Sequence, residues 1–383
     1  MAVTDLGGGK FRVRVYNPNT GKQYQKVVTG KRAADLHEAE MRVKFARGQT
    51  LDPDAGKQTF GSYAREALAA RHLAPETRKN YERLLDRIMP VWGHRQLRSL
   101  RHSDAVGLTT ALRSVSEGAS THNALVLTRS ICRQALADGI IDRNPFASLK
   151  MLAVRTQRPQ AEATWEEVRT AGEGKSLGAA QVILMAGTGL RRGEVAGLEL
   201  AGIDWLRRTI TVTQQLLSIS EGSAGRIGLR KWGFYLGEAK TDAGQDRVVP
   251  APQFVLDALA AWLSSHPALD AVLPWGSPDS ERTKATSLVF GLSSKSITGI
   301  VSYRARKAGA TWSPHDLRHL YASTLEQGGI PLRTVQEVMG HQPKGVTGIY
   351  SHVQPHTLER IRPVLEDAWN EAHETGQTGS AAI

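Results

Sequence analysis

From residue 59 to residue 150 the apolar side chains recur every three or four positions, in segment after segment. That period dictates amphipathic helices. Two stretches that cannot continue them bracket the block: DPDAGKQ at 52–58 and the proline-containing MLAVRTQRPQAEA that starts at residue 151. A block so bounded forms a helical domain of its own, so the chain divides into three. Within it, Pro75 takes the first helical position of PETRKNYERLLDRIMPVWG and Gly93 follows its end. Ser103 is the expected N-cap of HSDAVGLTTALRS. Gly139 fits the left-handed position past STHNALVLTRSICRQALADG, and Asn144 and Pro145 then break the chain.

The flanking blocks read differently. In KFRVRVYNPNTGKQYQKVV (10–28), Arg12 and Arg14 alternate with Phe11, Val13 and Val15, and NPNTG turns into a second alternating run. This is hairpin patterning. The segment RAADLHEAEMRVKFARG is helical and closes at Gly48. Beyond residue 161 come helices (TWEEVRTAGEG, SLGAAQVILMAGTG, RRGEVAGLEL), a β-rich stretch with RRTITVTQQLLSI and DRVVPAP, and helices again from QFVLDALAAWLSS onward. The fold class is multidomain α+β: a small N-terminal β-hairpin/helix module over 1–52, an all-α domain over 59–150, and a mixed, mainly-α domain with a small antiparallel sheet over 161–370.

Charge narrows the partners. The 383 residues carry 49 Lys plus Arg against 37 acids, a formal +12, which favours a polyanion such as nucleic acid. The single cysteine, Cys132, excludes an intramolecular disulfide and a cysteine-built zinc site, and its apolar-periodic surroundings make it a core thiol. No run reaches the roughly 18 apolar residues of a membrane span, and the N-terminus lacks the apolar stretch of a signal peptide. A cytoplasmic protein is expected. The GKS of AGEGKS is no P-loop, because Arg169 stands where its first glycine belongs, and HEAEM is not HExxH. No acidic cluster has two-metal spacing. Neither metal nor cofactor is expected.

Four short elements remain. TGLRRGEVAGL puts Arg191 after a Thr-Gly-Leu turn with Glu194 three residues on, and EAKTDAGQDRVVP puts Lys240 at a turn between strands. SPHDLRHLYAS places His315 and Arg318 on one helix face, and GHQPKGVTGIYSH supplies His341 and Tyr350. Singly, each has a plain reading: a surface ion pair, a loop lysine, a polar helix face, a packed tyrosine. Jointly and in this order they do not.

In that order they resemble the signature of the tyrosine recombinase (phage integrase) family: Arg, Lys, His-x-x-Arg, His, Tyr. ADGIIDRNPFASL is similar to the end of the family's core-binding domain, and the N-terminal module is similar to the arm-site-binding domain of larger phage-type integrases. Gly244 stands where serine is frequent and the hairpin after Lys240 is about one residue longer, so Lys231 is the fallback lysine. HLYAS is also bulkier than usual, a variation in packing.

The resemblance implies a site-specific integrase that cleaves DNA through a covalent 3′-phosphotyrosine. Tyr350 is the nucleophile, Arg191 and Arg318 hold the phosphate, and Lys240 is the general acid. His315 assists proton transfer, His341 bonds the phosphate, and Glu194 orients Arg191. His319 and His352 are read as structural. Arg12, Arg14 and Lys26 are the candidate DNA contacts of the N-terminal module. Implied partners are double-stranded attachment sites, a homotetramer on two duplexes, a host DNA-bending protein and an excision factor, in the cytoplasm of a bacterial host at its nucleoid. The helical tail TLERIRPVLEDAWNEA is expected to pack onto a neighbouring protomer. Alternatives are a resolvase- or transposon-type recombinase with the same chemistry, a type IB topoisomerase, or a non-catalytic DNA-binding regulator on this fold.

Overall fold

The computed structural model describes residues 3–18, 21–46, 58–116, 118–150, 162–218, 233–239, 246–340 and 355–380. The chain separates into two compact units, Met1–Gln157 and Arg158–Ile383.

The first unit contains two distinct apolar cores. At its start β1 (Val3–Asp5), β2 (Lys10–Asn17) and β3 (Lys22–Thr29) form an antiparallel sheet in that order, followed by α1 (Lys31–Ala46). Val13 and Val15 point from β2 onto Ala34, Met41 and Phe45 of α1. Because strand side chains alternate, Arg12 and Arg14 lie on the opposite face, across from Val27 and Gln25. Lys26 pairs with Val13, so it does not share a face with the two arginines.

The second core belongs to α2 (Phe60–Ala69), α3 (Pro75–Trp92), α4 (His102–Val115) and α5 (Ala119–Ala137). Its centre is aromatic: Phe60 meets Trp92 edge-on at 5.3 Å, and Trp92 meets Phe146 at 5.6 Å. Pro75 begins α3, as its missing N–H favours. The start of α4 departs from the sequence reading. Arg101, not Ser103, is its N-cap, because the Asp104 carboxylate reaches back to accept the Arg101 backbone N–H at 2.8 Å. Cys132 is fully buried, and burial pushes its thiol up to about 12.

The second unit is built around a helix that is apolar on every side. α6 (Trp165–Ala171) precedes α7 (Leu177–Thr188), in which every residue from Gly178 to Thr188 is buried. Such a helix needs a shell of other elements. The shell comprises α9 (Gln253–Leu263), α10 (Ser294–Lys307) and α11 (Pro314–Gln327), together with a short α8 (Arg192–Ala196) that follows α7 directly. Beside them β4 (Ile203–Asp204), β5 (Thr209–Val212) and β8 (Arg247–Pro250) pair antiparallel, as do β6 (Gln215–Ser218) and β7 (Phe234–Gly237).

A further antiparallel pair, β9 (Leu269–Pro274) with β10 (Thr283–Leu288), occupies a stretch read from sequence as part of a return to helices. The turn residues Gly276 and Pro278 between its strands are the local signal for it.

The chain ends with α12 (Leu332–Met339) and α13 (Pro355–Ser380). In this single chain α13 packs on its own unit: Leu358, Ile361 and Leu365 enter the main core. Trp369 stacks on Phe254 at 4.5 Å, and the Arg169 guanidinium lies 4.7 Å from the Trp369 ring. Glu366 holds Arg208 at 3.2 Å. No described helix is long and apolar enough to cross a membrane.

Candidate active site

Arg191 and Arg318 come from opposite ends of the sequence pattern, and the core brings them together. α7 ends in Gly189, whose φ of +63° lies in the left-handed region. A Cβ there would sit 2.5 Å from Cδ1 of Tyr321, so the Tyr321 ring fills the room that glycine leaves. The bulk of HLYAS is therefore matched by Gly189. Gly189→Ala is expected to cost about 2–4 kcal/mol, from left-handed strain and overpacking together. A denaturant midpoint checks this.

The tight turn delivers Arg191 to the N-cap of α8. Its backbone N–H donates to Glu194 Oε2 at 2.8 Å, its Nη1 donates to Oε1 at 3.0 Å, and its Nη2 donates to the Gly340 carbonyl at 3.0 Å. Arg318 approaches from α11, which opens with Ser313 and Pro314. The Ser313 backbone N–H donates to Asp316 at 2.7 Å, so the helix start is fixed. Arg318 donates to the Gly189 carbonyl and, through Nη2, to the Met339 carbonyl at 2.5 Å. Its burial differs from that of Arg191: the residue is 4% exposed, whereas the Arg191 side chain is 22% exposed.

A third arginine was missed from the sequence. Arg247, at the start of β8, donates from Nη1 and Nη2 to the two Glu194 oxygens at 3.0 and 2.7 Å. Its Nε donates to the Val338 carbonyl at 3.0 Å. The strand pairs Arg247 with Val212 and Val249 with Ile210, so the arginine occupies an inward position beside two core valines and an isoleucine. An arginine in phase with buried strand residues is the signal that could have found it.

The result is an uneven balance of charge: three guanidinium groups surround one buried carboxylate. Burial by itself pushes the Glu194 carboxyl upward, but the charge and hydrogen bonds of Arg247, then of Arg191, outweigh it and hold the group below its ordinary range. Arg318 is lowered by burial first and then by repulsion from Arg191, which favours an anion beside the cluster. A guanidinium stays charged throughout. The three arginines also satisfy the last carbonyls of α12, at Val338, Met339 and Gly340, which an isolated helix end leaves without partners.

His315 lies one turn before Arg318, near the start of α11, and is exposed. Its imidazole is lowered by partial burial first, then by His319, whose ring is 4.5 Å away, and by Arg318. It is neutral at pH 7 and can accept a proton. Arg191, Glu194 and Arg318 are thus adjacent, with His315 one turn away. Lys240, its fallback Lys231, His341 and Tyr350 lie outside the described residues. Gly340, which accepts from Arg191, immediately precedes His341 in the chain. Arg12, Arg14 and Lys26 lie in the other unit.

Residues 160–357 match the model of the phage integrase family. A Mycobacterium tuberculosis protein described as a prophage phiRv2 integrase is 26% identical over 363 residues, covering 91% of this chain and 90% of its own length. The tyrosine recombinase XerD of the same organism is 26% identical over 336 residues, with 82% and 92% covered. The Tn1549 transposon integrase in complex with transposon right-end DNA shares the fold at a TM-score of 0.62 and 19% identity, covering 81% of this chain and 99% of that one. A lambda integrase tetramer bound to a Holliday junction does so at 0.53 and 16% identity, with 91% and 98% covered.

Proposed function

The chain belongs to the phage integrase family, and we propose that it is a site-specific DNA recombinase that integrates and excises a phage or other mobile element through a 3′-phosphotyrosine. The observation that carries this reading is the cluster of three arginines around Glu194, at the end of the helix that leads into GHQPKGVTGIYSH. It is a site built for a phosphate, and it stands at the root of the segment that carries a candidate nucleophile.

Breaking a phosphodiester here needs a nucleophile, charge stabilisation and a proton for the leaving oxygen. The Tyr350 phenol attacks phosphorus; the Tyr350 O–P bond forms and the bond to the 5′-oxygen breaks. Lys240 gives the departing 5′-oxygen its proton, and His315, neutral at pH 7, takes up the phenolic proton. Arg191 and Arg318 stabilise the charge of the transition state, and His341 bonds a phosphate oxygen. The new ester keeps the energy of the broken bond, so a 5′-hydroxyl from a partner strand reverses the reaction without ATP.

Exchange between two duplexes requires four copies of the chain. The helical block 59–150 and the unit carrying the arginines bind core DNA, chiefly through phosphates. The N-terminal module binds arm sites through the face that holds Arg12 and Arg14, while Lys26 is placed on the other face of that sheet. That module favours an integrase over a resolvase of the XerD kind. The alignment with the prophage integrase covers 91% of the chain, against 82% for XerD. A host DNA-bending protein and an excision factor are the accessory partners of this reading, acting in the host cytoplasm.

A nicked suicide duplex carrying the cognate attachment site tests the proposal. With full-length protein, EDTA and no ATP, a covalent protein–DNA band is expected on a denaturing gel. A verified cognate site that is bound yet never becomes attached to protein would overturn it.

A further inference from the structure

Arg247 makes more contacts than a structural arginine at the end of a strand requires. All three of its nitrogens are used: two on the Glu194 carboxylate and one on the Val338 carbonyl. The side chain is 6% exposed, and Glu194 beneath it is 2% exposed. Through Glu194 it reaches both the backbone N–H and the guanidinium of Arg191. Through Val338 it reaches the end of α12, where Arg318 and Arg191 hold the next two carbonyls.

We propose that Arg247 is a positioning residue for strand cleavage: by clasping Glu194 and Val338 together, it sets the direction of Arg191 and fixes the end of α12 beside it. The inference rests on the recombinase reading given above.

Two physical consequences follow from the clasp. Glu194 is shared between two arginines, so Arg191 is oriented without being neutralised: three positive charges face one negative. With Arg247 gone, Glu194 pairs with Arg191 alone, and the group intended for phosphate becomes the sole counter-ion of a buried carboxylate. The contact also demands a guanidinium. A lysine ammonium is a point charge and cannot meet two carboxylate oxygens and a carbonyl as the guanidinium fork does. Among the described residues, the charged groups facing Glu194 are Arg191 on its own helix, Arg247 from β8 and Arg318 from α11. The other elements packed on α8 place Gln215 and Thr298 there, and α7 carries no titratable residue.

Single-turnover cleavage of the nicked cognate duplex by full-length protein, followed across pH, provides the test. Arg247→Met is expected to slow adduct formation about 10- to 100-fold, less than the roughly 100- to 1,000-fold of losing a charge donor outright, because it acts on the phosphate only through Arg191. It is also expected to shift the acid limb of the profile: with one of its two arginines gone, Glu194 is held less far below its ordinary range, so the rate falls at a higher pH than in the wild type. Arg247→Lys, which retains the charge but not the planar fork, should recover only part of the rate.

Arg247→Met leaves a buried carboxylate short of a partner, so Arg247→Met/Glu194→Gln serves as the control for folding. Replacing both members of a buried pair is close to neutral for stability, and its melting temperature should return toward that of the wild type. Its acid limb should return to the wild-type position while its rate stays low. A pH–rate profile of Arg247→Met that superimposes on the wild type, or a double variant with wild-type rate, would overturn the proposal. Absence of any adduct with the wild type would instead remove the recombinase reading itself.

Discussion

Replacing Tyr350 by phenylalanine should abolish the covalent protein–DNA adduct while leaving retention of the cognate duplex on a native gel unchanged. The substitution removes one oxygen, and with it the atom that bonds to phosphorus. Losing the nucleophile of a catalytic group that acts as a unit costs about 10⁴-fold or more. Binding is set by contacts to the DNA backbone spread over a large surface, to which a single phenol contributes little. Adduct yield and native-gel affinity, measured on the same preparation, therefore separate the chemical role of Tyr350 from any role in folding. Equal loss of both would mean that Tyr350 is a packing residue.

Arg318→Ala should have the next largest effect, on the order of 100- to 1,000-fold in the single-turnover rate of adduct formation. Arg318 is held by carbonyls at two places that matter for the site: Gly189, two residues before Arg191, and Met339, at the end of α12. Its removal takes away a buried positive charge and loosens both anchors. Arg318→Lys is informative because it keeps the charge. An ammonium cannot donate to both carbonyls along the directions of the guanidinium fork, so this variant should also be strongly slowed. An Arg318→Lys rate within about a factor of three of wild type would show that charge alone is required.

The helices were legible in the sequence where the signals were local. Pro75 at the start of α3 and Gly139 after α5 act within one turn of the chain, and the structure places both as read: Pro75 opens α3, and Gly139 has a φ of +72°. The pairing of Arg191 with Glu194, and of His315 with Arg318 on one helix, depends only on three-residue spacing.

Arg247 was harder to find, because its importance lies in a register. It matters through standing opposite Val212 on an inward face and reaching a carboxylate 53 positions away in sequence. The face on which Lys26 stands was hidden for a related reason. Which face it occupies is fixed by the pairing of Asn17 with Lys22 across the turn, and the composition of the strand does not encode that pairing. The N-cap of α4 was misread because serine is the better capping residue in general, while here Asp104 supplies the hydrogen bond from inside the helix. The β9–β10 pair lacks the short Asn-Gly type of turn that marks a hairpin in sequence.

The most direct test is to locate the covalent bond. Adduct trapped on the nicked duplex can be trimmed with nuclease, digested with trypsin and examined by mass spectrometry. Cleavage after Lys344 and Arg360 releases GVTGIYSHVQPHTLER, whose one tyrosine is Tyr350. The expected result is a nucleotide attached through phosphate to Tyr350 in this peptide. A nucleotide on Ser351, or on the peptide HLYASTLEQGGIPLR that contains Tyr321, would contradict the assignment of Tyr350 as the group that attacks DNA.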